Sequence, residues 1–193
     1  TMSLPMPYSQ SQPMKIESVD LAPPCAGEVL VKIRAAGLCH SDLSTINGDR
    51  PRQLPMVLGH EASGEVVELG AGVNDLKIGD HVVMIFAATC GHCLPCVEGR
   101  PTHCEPGQAA NGAGLLMGGV SRLSQNGAKV HHHMGVAAFA EYTVAHRGSM
   151  VKVDSSLPFE EAALFGCAVL TGVGAVVNTA KVSAGSTVAV VGL

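Results

Sequence analysis

The chain has 193 residues, 47% hydrophobic and 15% charged, the balance of a folded globular chain with room for one ordinary domain and part of another. Twelve basic residues against sixteen acidic ones leave a formal net charge of -4, which argues against the basic footprint of a nucleic-acid-binding surface. Aromatic residues are only 3%, with no tryptophan, beside 23 glycines, so a turn-rich chain with an aliphatic, sulfur-rich core is expected.

Residues 1–14 carry Pro5, Pro7 and Pro13 among polar residues and show neither the basic start nor the apolar centre of a secretory signal. Residues 14–21 alternate loosely as a strand that Pro23 and Pro24 break. Residues 28–35 alternate apolar and polar, and residues 56–58, 62–69 and 81–86 are further strand candidates. Turns at Gly70-Ala71-Gly72 and Gly79-Asp80 punctuate them. Short strands at such spacing predict a small β-barrel or sandwich.

Next comes the loudest signal, Cys90, Cys93 and Cys96 with Cys104 beyond, the spacing of a thiolate cage around one tetrahedral zinc. Gly91 and Pro95 bend the loop so that the sulfurs converge. Four protein ligands leave no open coordination position, so such a site braces a fold and does no chemistry. Adjacent C-x-x-C steps make poor disulfides, and without a secretory signature a reducing, cytoplasmic setting is expected. His92 and His103 are surplus to the cage.

Residues 107–127 read as glycine-rich and irregular, and His131, His132 and His133 precede strands at 138–145 and 150–153. Ser156 is expected to cap a helix with Glu160 in its first turn. Residues 162–177 form the longest mostly apolar stretch, but Gly166, Thr171, Gly172 and Gly174 interrupt it and it is short for a bilayer, so no membrane role is expected. Within it, residues 168–178 read as an apolar helix. Residues 186–192 then read as a buried valine-rich strand ending in Gly192, the way a dinucleotide-binding βαβ unit opens.

Outside the cage stand Cys25, Cys39 and Cys167, and His60 is followed by Glu61. Two cysteines and a histidine suit a catalytic zinc, which takes three protein ligands and keeps one position open. Spacing alone does not group Cys39, His60 and Cys167, because they are far apart in sequence.

The segments Gly37-Leu38-Cys39-His40-Ser41-Asp42, Gly59-His60-Glu61-Ala62-Ser63-Gly64, Gly79-Asp80-His81-Val82-Val83, the cysteine loop, and Phe165-Gly166-Cys167-Ala168-Val169-Leu170-Thr171-Gly172 occur in a telling order and spacing. Together they resemble the zinc-containing medium-chain alcohol dehydrogenases over almost the whole chain. The resemblance implies a mainly β fold, a GroES-like partly open barrel over 1–167 with a structural-zinc lobe at about 88–106. The first helix and strand of a Rossmann α/β domain that binds NAD or NADP would follow over 168–193. It also implies a chain trimmed at both ends, expected to turn over no alcohol alone because the phosphate-binding glycines would come after Leu193.

Carried over by position, Cys39, His60 and Cys167 resemble the ligands of the catalytic zinc, and the cage that of a second, structural zinc. Glu61 resembles the carboxylate that approaches or replaces the water ligand, and Asp42 the carboxylate that orients the ligand histidine. Ser41 resembles the hydroxyl that accepts the substrate proton. His40 takes the place of a basic residue facing the cofactor pyrophosphate, where a neutral imidazole grips less firmly than arginine. Thr171 resembles the residue on the nicotinamide face, Gly192 the start of the phosphate turn, and Phe86 one wall of the substrate pocket.

Plainer readings compete: helix caps for Ser41 and Asp42, core residues for Cys39, Cys167 and Phe86, a turn histidine for His60. Where relatives carry a relay histidine this chain has Ser44, which cannot hold a proton near neutral pH. The histidines at 131–133 read as structural or surface residues. The implied activity is reversible oxidation of an alcohol to an aldehyde or ketone with hydride transfer to NAD(P). Its setting would be a cytoplasmic homodimer or homotetramer acting on small molecules, with neither nucleic acid nor membrane as partner. The alternatives are a glutathione-dependent formaldehyde or aryl-alcohol dehydrogenase relative, or a non-catalytic zinc-binding GroES-like module.

Overall fold

Period-two valine patterning builds the centre of the molecule. The computed structural model describes residues 2–4 and 14–192. β1 (Met2–Leu4), β2 (Lys15–Ile16) and β3 (Asp20–Leu21) are short, and β4 (Glu28–Gly37) is the longest strand described. The chain continues through α1 (His40–Ile46), β5 (Met56–Val57), β6 (Glu61–Leu69) and β7 (His81–Met84). A lobe holding α2 (Leu94–Val97) and α3 (Glu105–Ala113) follows, then β8 (Leu123–Gln125), β9 (Ala128–His132), β10 (Tyr142–His146) and β11 (Met150–Lys152). Last come α4 (Phe159–Ala162) and α5 (Ala168–Gly174), which runs into a π-turn at Ala175–Thr179.

The strands form a five-stranded sheet in the order β10-β4-β6-β7-β11 and a six-stranded sheet in the order β2-β1-β5-β9-β8-β3. In the first, every described pairing is antiparallel; in the second, β5 and β9 run parallel. Two register shifts along the β4 and β6 pair, at Leu30/Val31 and Ile33/Ala35, bend the long strands as bulges do and curl the sheet without closing it. One side of it carries Val29, Val31, Val66, Val82 and Met84, all in one core cluster with Val136 and Ala145. Burying each of the larger side chains contributes about 1.5–3 kcal/mol, and the alternation in β4 supplies them in register.

Several expectations need correction. Residues 186–192 form no strand: they pair with nothing among the described residues, and Val190 and Val191 are largely exposed. A valine-rich strand buried on both faces exists only between sheet neighbours, and none flanks this stretch. The strand expected at 138–145 begins only at Tyr142. Ala137 adopts a left-handed φ of 56°, and the Ala138 and Phe139 amides donate to the Gly59 and Leu58 carbonyls instead. Ser156 caps no helix: its amide donates to Asp154 Oδ1 in a local turn, and Pro158 stands at the N-cap. Residues 107–127 are not irregular throughout, since α3 and β8 fall within or across them.

No single described helix is long and apolar enough to cross a membrane. The bent pair Phe159–Gly166 and Ala168–Thr179 passes that test only jointly, across a 53° bend.

Candidate active site

Three separate segments bring their ends to one place. β4 ends at Gly37, and Cys39 takes an extended conformation as N-cap of α1. Gly59, with φ of +89°, leads His60 and Glu61 into β6; any side chain there would run into Phe139. Cys167 follows Gly166, where an added Cβ would collide with the Met84 carbonyl. Those two glycines let the backbone pass where side chains cannot, which sets His60 and Cys167 against the sheet.

Donor atoms of Cys39, His60, Glu61 and Cys167 all lie within 4.8 Å of one another. His60 and Glu61 are buried, the two cysteines half-buried. Burial pushes the Cys167 thiol up, and the nearby Cys39 and Glu61 add to this, to about 12. Burial acts the same way on Cys39, but Ser41 and His60 outweigh it and hold its thiol below the ordinary value. Anionic donors crowded this tightly repel one another, and a divalent cation between them relieves the repulsion. Two sulfurs, one imidazole and a carboxylate are a donor set that fits zinc.

Behind His60 sits Asp42, third residue of α1 and buried. Its Oδ1 accepts the Gly59 amide at 3.1 Å and faces His60 Nδ1 at 3.3 Å; its Oδ2 accepts the Cys39 amide at 3.3 Å. Burial raises the Asp42 pKa, but the His133 and His60 imidazoles beside it outweigh it and hold the carboxyl well below the usual carboxylate range. Burial depresses His60, yet Asp42 and Cys39 together raise it above its ordinary value. With Nδ1–H turned to Asp42, the Nε2 lone pair of His60 is free for the donor cluster. The reading of Asp42 as a helix cap is therefore half of its geometry: it closes α1 onto Cys39 and also holds His60.

Around the cluster, the Phe86 ring meets His60 edge-on with centroids 6.2 Å apart. An apolar cleft of about 490 Å³ opens beside Cys39, lined by Met14, Leu38, Leu43, Ile46 and Phe139 among others. Ser41 is half-buried at the start of α1. His40 is exposed, its Nδ1 3.2 Å from Ser44 Oγ one turn on. Thr171 lies one helical turn beyond Cys167, its amide donating to the Cys167 carbonyl. Gly192 stands apart in the exposed stretch with nothing close to it.

The cage residues Cys90, Cys93, Cys96 and Cys104 also converge within 4.8 Å. Backbone amides of His92 and Cys93 point at the Cys90 sulfur, at 3.5 and 3.3 Å, and lower its thiol to about 6. Burial and the neighbouring sulfurs push Cys96 up to about 11. All seven cysteines are free of disulfides. Cys104 is also the N-cap of α3, whose Asn111 donates from Nδ2 to the Phe86 carbonyl at 2.6 Å. The lobe is thereby tied to the residue whose ring stands against His60.

His133 and Asn111 escaped sequence reasoning. Of the histidines read as structural or surface, His132 and His133 are fully buried, so a surface role is excluded for both. The alternation of β9 places His132 on the face of buried Val130, a signal that was legible. His133 lies just past the strand, where the period of two stops informing.

The sequence pattern of the alcohol dehydrogenase GroES-like domain matches residues 25–155. S-(hydroxymethyl)glutathione dehydrogenase of a Synechocystis species is 46% identical over 187 residues, 96% of this chain and 51% of that protein. The Escherichia coli enzyme of the same name is 44% identical over the same span. The chain thus spans about half the length of the curated relatives it matches. Among solved structures, an alcohol dehydrogenase zinc-binding domain protein from Burkholderia ambifaria matches with a TM-score of 0.83 and 35% identity, over 92% of this chain and 48% of that one. Benzyl alcohol dehydrogenase from Acinetobacter calcoaceticus matches with a TM-score of 0.82 and 33% identity, over 94% and 48%. Motifs, partly open GroES-like barrel and these matches agree, and the chain belongs to the alcohol dehydrogenase GroES-like family.

Proposed function

We propose that this chain forms the metal- and substrate-binding part of a zinc-dependent alcohol dehydrogenase that oxidises an alcohol to an aldehyde or ketone with NAD or NADP. The observation that carries the reading is the convergence of Cys39, His60, Glu61 and Cys167 from distant segments beside an apolar cleft. Cys39, His60 and Cys167 would hold the ion, which when bound supplies Lewis acidity toward an alcohol oxygen. Asp42 fixes the His60 ring and its tautomer. Ser41 accepts the substrate proton and passes it outward; Glu61 stands by as an alternative donor; Phe86 and the cleft keep water from the reacting carbon. In this reading His40 and Thr171 face the cofactor.

Further parts of the reading are a structural zinc at Cys90, Cys93, Cys96 and Cys104, a catalytic domain over 1–167, and the start of a cofactor domain, including Gly192, over 168–193. The free cysteines support a reducing, cytoplasmic setting, and association as a homodimer or homotetramer completes it. A narrower substrate reading, S-(hydroxymethyl)glutathione, is favoured by the 46% identity to an enzyme of that name across 96% of the chain. The test is NAD(P)-linked oxidation of S-(hydroxymethyl)glutathione and of benzyl alcohol by the protein carrying this chain. Turnover that Cys167→Ser abolishes supports the reading; turnover untouched by it contradicts it, and preference for benzyl alcohol contradicts the narrower one. Firm zinc binding with no turnover of any alcohol supports a non-catalytic module instead.

A further inference from the structure

We propose that His133 is a positioning residue for His60, acting through Asp42; this rests on the reading of Cys39, His60 and Cys167 as a metal site. His133 follows β9 and is fully buried, with Nδ1 3.0 Å from Asp42 Oδ1. The ring is turned too far off the line to that oxygen for a hydrogen bond, so the approach is a close polar contact and neither ring nitrogen has a hydrogen-bond partner among the described residues. Two imidazoles thus face one carboxylate, and His60 and His133 meet edge-on with ring centroids 5.3 Å apart at 83°. On another side of His60 stands Phe86, at 90°. His60 is held by rings as well as by its hydrogen bond.

The backbone at His133 supports a dedicated placement. Met134 adopts φ 52° and ψ 32°, a left-handed conformation unusual for a side chain of that size, and Gly135 and Ala137 also have positive φ. Such turns persist where the surrounding structure requires them. This one swings the chain off the β9 line just where His133 enters the space behind Asp42. Removing the imidazole would leave Asp42 with the Gly59 and Cys39 amides and His60, one polar neighbour fewer to resist a shift of the carboxylate and, with it, of the His60 ring. Groups that orient a ligand histidine are typically worth roughly 10–100-fold in metal affinity when lost.

Asp42, His60 and His133 also lie close enough to hold a metal themselves. The structure favours the positioning role, because His60 Nδ1 cannot donate to Asp42 and coordinate a second ion at once.

The test is cobalt(II) affinity of the chain by chelator competition, read from the thiolate-to-cobalt absorption that disappears in Cys167→Ser. His133→Phe, which keeps the bulk and loses the donor, is expected to weaken that site roughly 10–100-fold while the cage affinity stays unchanged. His133→Asn, whose amide sits near the Nδ1 position, should restore most of it. Native affinity in His133→Phe overturns the proposal. Should that variant not fold, His133→Asn against His133→Gln decides, since only Asn places its donor near Asp42; equal affinities overturn it. A third equivalent of cobalt that depends on His133 overturns it in favour of a ligand role. Absence of any Cys167-dependent cobalt band in the native chain overturns instead the reading on which the proposal rests.

Discussion

At the scale of single residues, burial of neutral imidazoles makes stability depend on pH. His132 is buried, its pKa lowered by burial first and by His131 and Arg122 next, to about 3, and its Nε2 accepts the Arg122 amide at 3.2 Å. Its folded pKa lies below the unfolded value near 6.5. Between the two the unfolded chain holds a proton that the folded chain lacks, so stability rises with pH by about 1.4 kcal/mol per unit. It is fully present above roughly pH 6.5 and is lost as pH falls toward 3. Urea titrations from pH 7 to 4 should show that slope, and His132→Gln should flatten it; equal slopes in both proteins would refute the assignment.

The residue scale also shows where reading the sequence stops. Cys39, His60 and Cys167 were namable only through the resemblance, because their spacing says nothing about convergence. Bulges in β4 and the glycines at 59 and 166 create it. Asp42 was legible as a helix cap or as a carboxylate behind a histidine, and geometry has it accept the Cys39 amide and face His60 Nδ1. His133 was hidden by its position after a strand end, where alternation no longer reports burial.

At the scale of elements, the close passes of backbone against sheet should be intolerant of added atoms. Gly166 runs over the Met84 carbonyl between α4 and α5, so Gly166→Ala must move backbone, not a flexible side chain. A loss of about 2–4 kcal/mol is expected, with a weaker metal site because Cys167 shifts; an unchanged melting temperature would contradict the packing described. The lobe behaves differently. α3 begins at Cys104 and, through Asn111, holds the Phe86 carbonyl. If Phe86 borders the substrate as the proposed function has it, Asn111→Ala should raise KM for the alcohol several-fold with the metal content unaltered, and a KM equal to native would sever that link. The alternation of β4 was readable because one face is buried; β6 and β7, buried over consecutive residues, were legible from the glycine turns between them. α3 was not, because Gly107 and Gly112 within it read as breakers.

At the scale of the molecule, the two sheets are joined by a buried ion pair. Arg122, just before β8, donates from Nε and Nη2 to Glu28 at the start of β4, at 2.7 and 3.1 Å. The Glu28 side chain is 4% exposed, so Arg122→Ala leaves a buried carboxylate with no cation and only the Cys25 amide as partner. Breaking such a pair from one side costs about 3–5 kcal/mol, and chemical denaturation should show a loss of that size; a change under about 1 kcal/mol would mean that the pair contributes little. The sequence offered no hint of this pair, whose members lie 94 residues apart. It offered no correct account of residues 186–192 either, since a strand's burial depends on neighbours that its own pattern does not supply.

On the proposed function this chain holds two distinct metal sites, one in the lobe at Cys90, Cys93, Cys96 and Cys104 and one where Cys39, His60 and Cys167 converge. Zinc content per chain, measured on the native protein and on Cys167→Ser and Cys96→Ser purified alike, tests it most directly. Two equivalents are expected in the native chain and one in each variant, with the cobalt spectrum of a two-sulfur site surviving only in Cys96→Ser. One equivalent in the native chain, unchanged by Cys167→Ser, would contradict it.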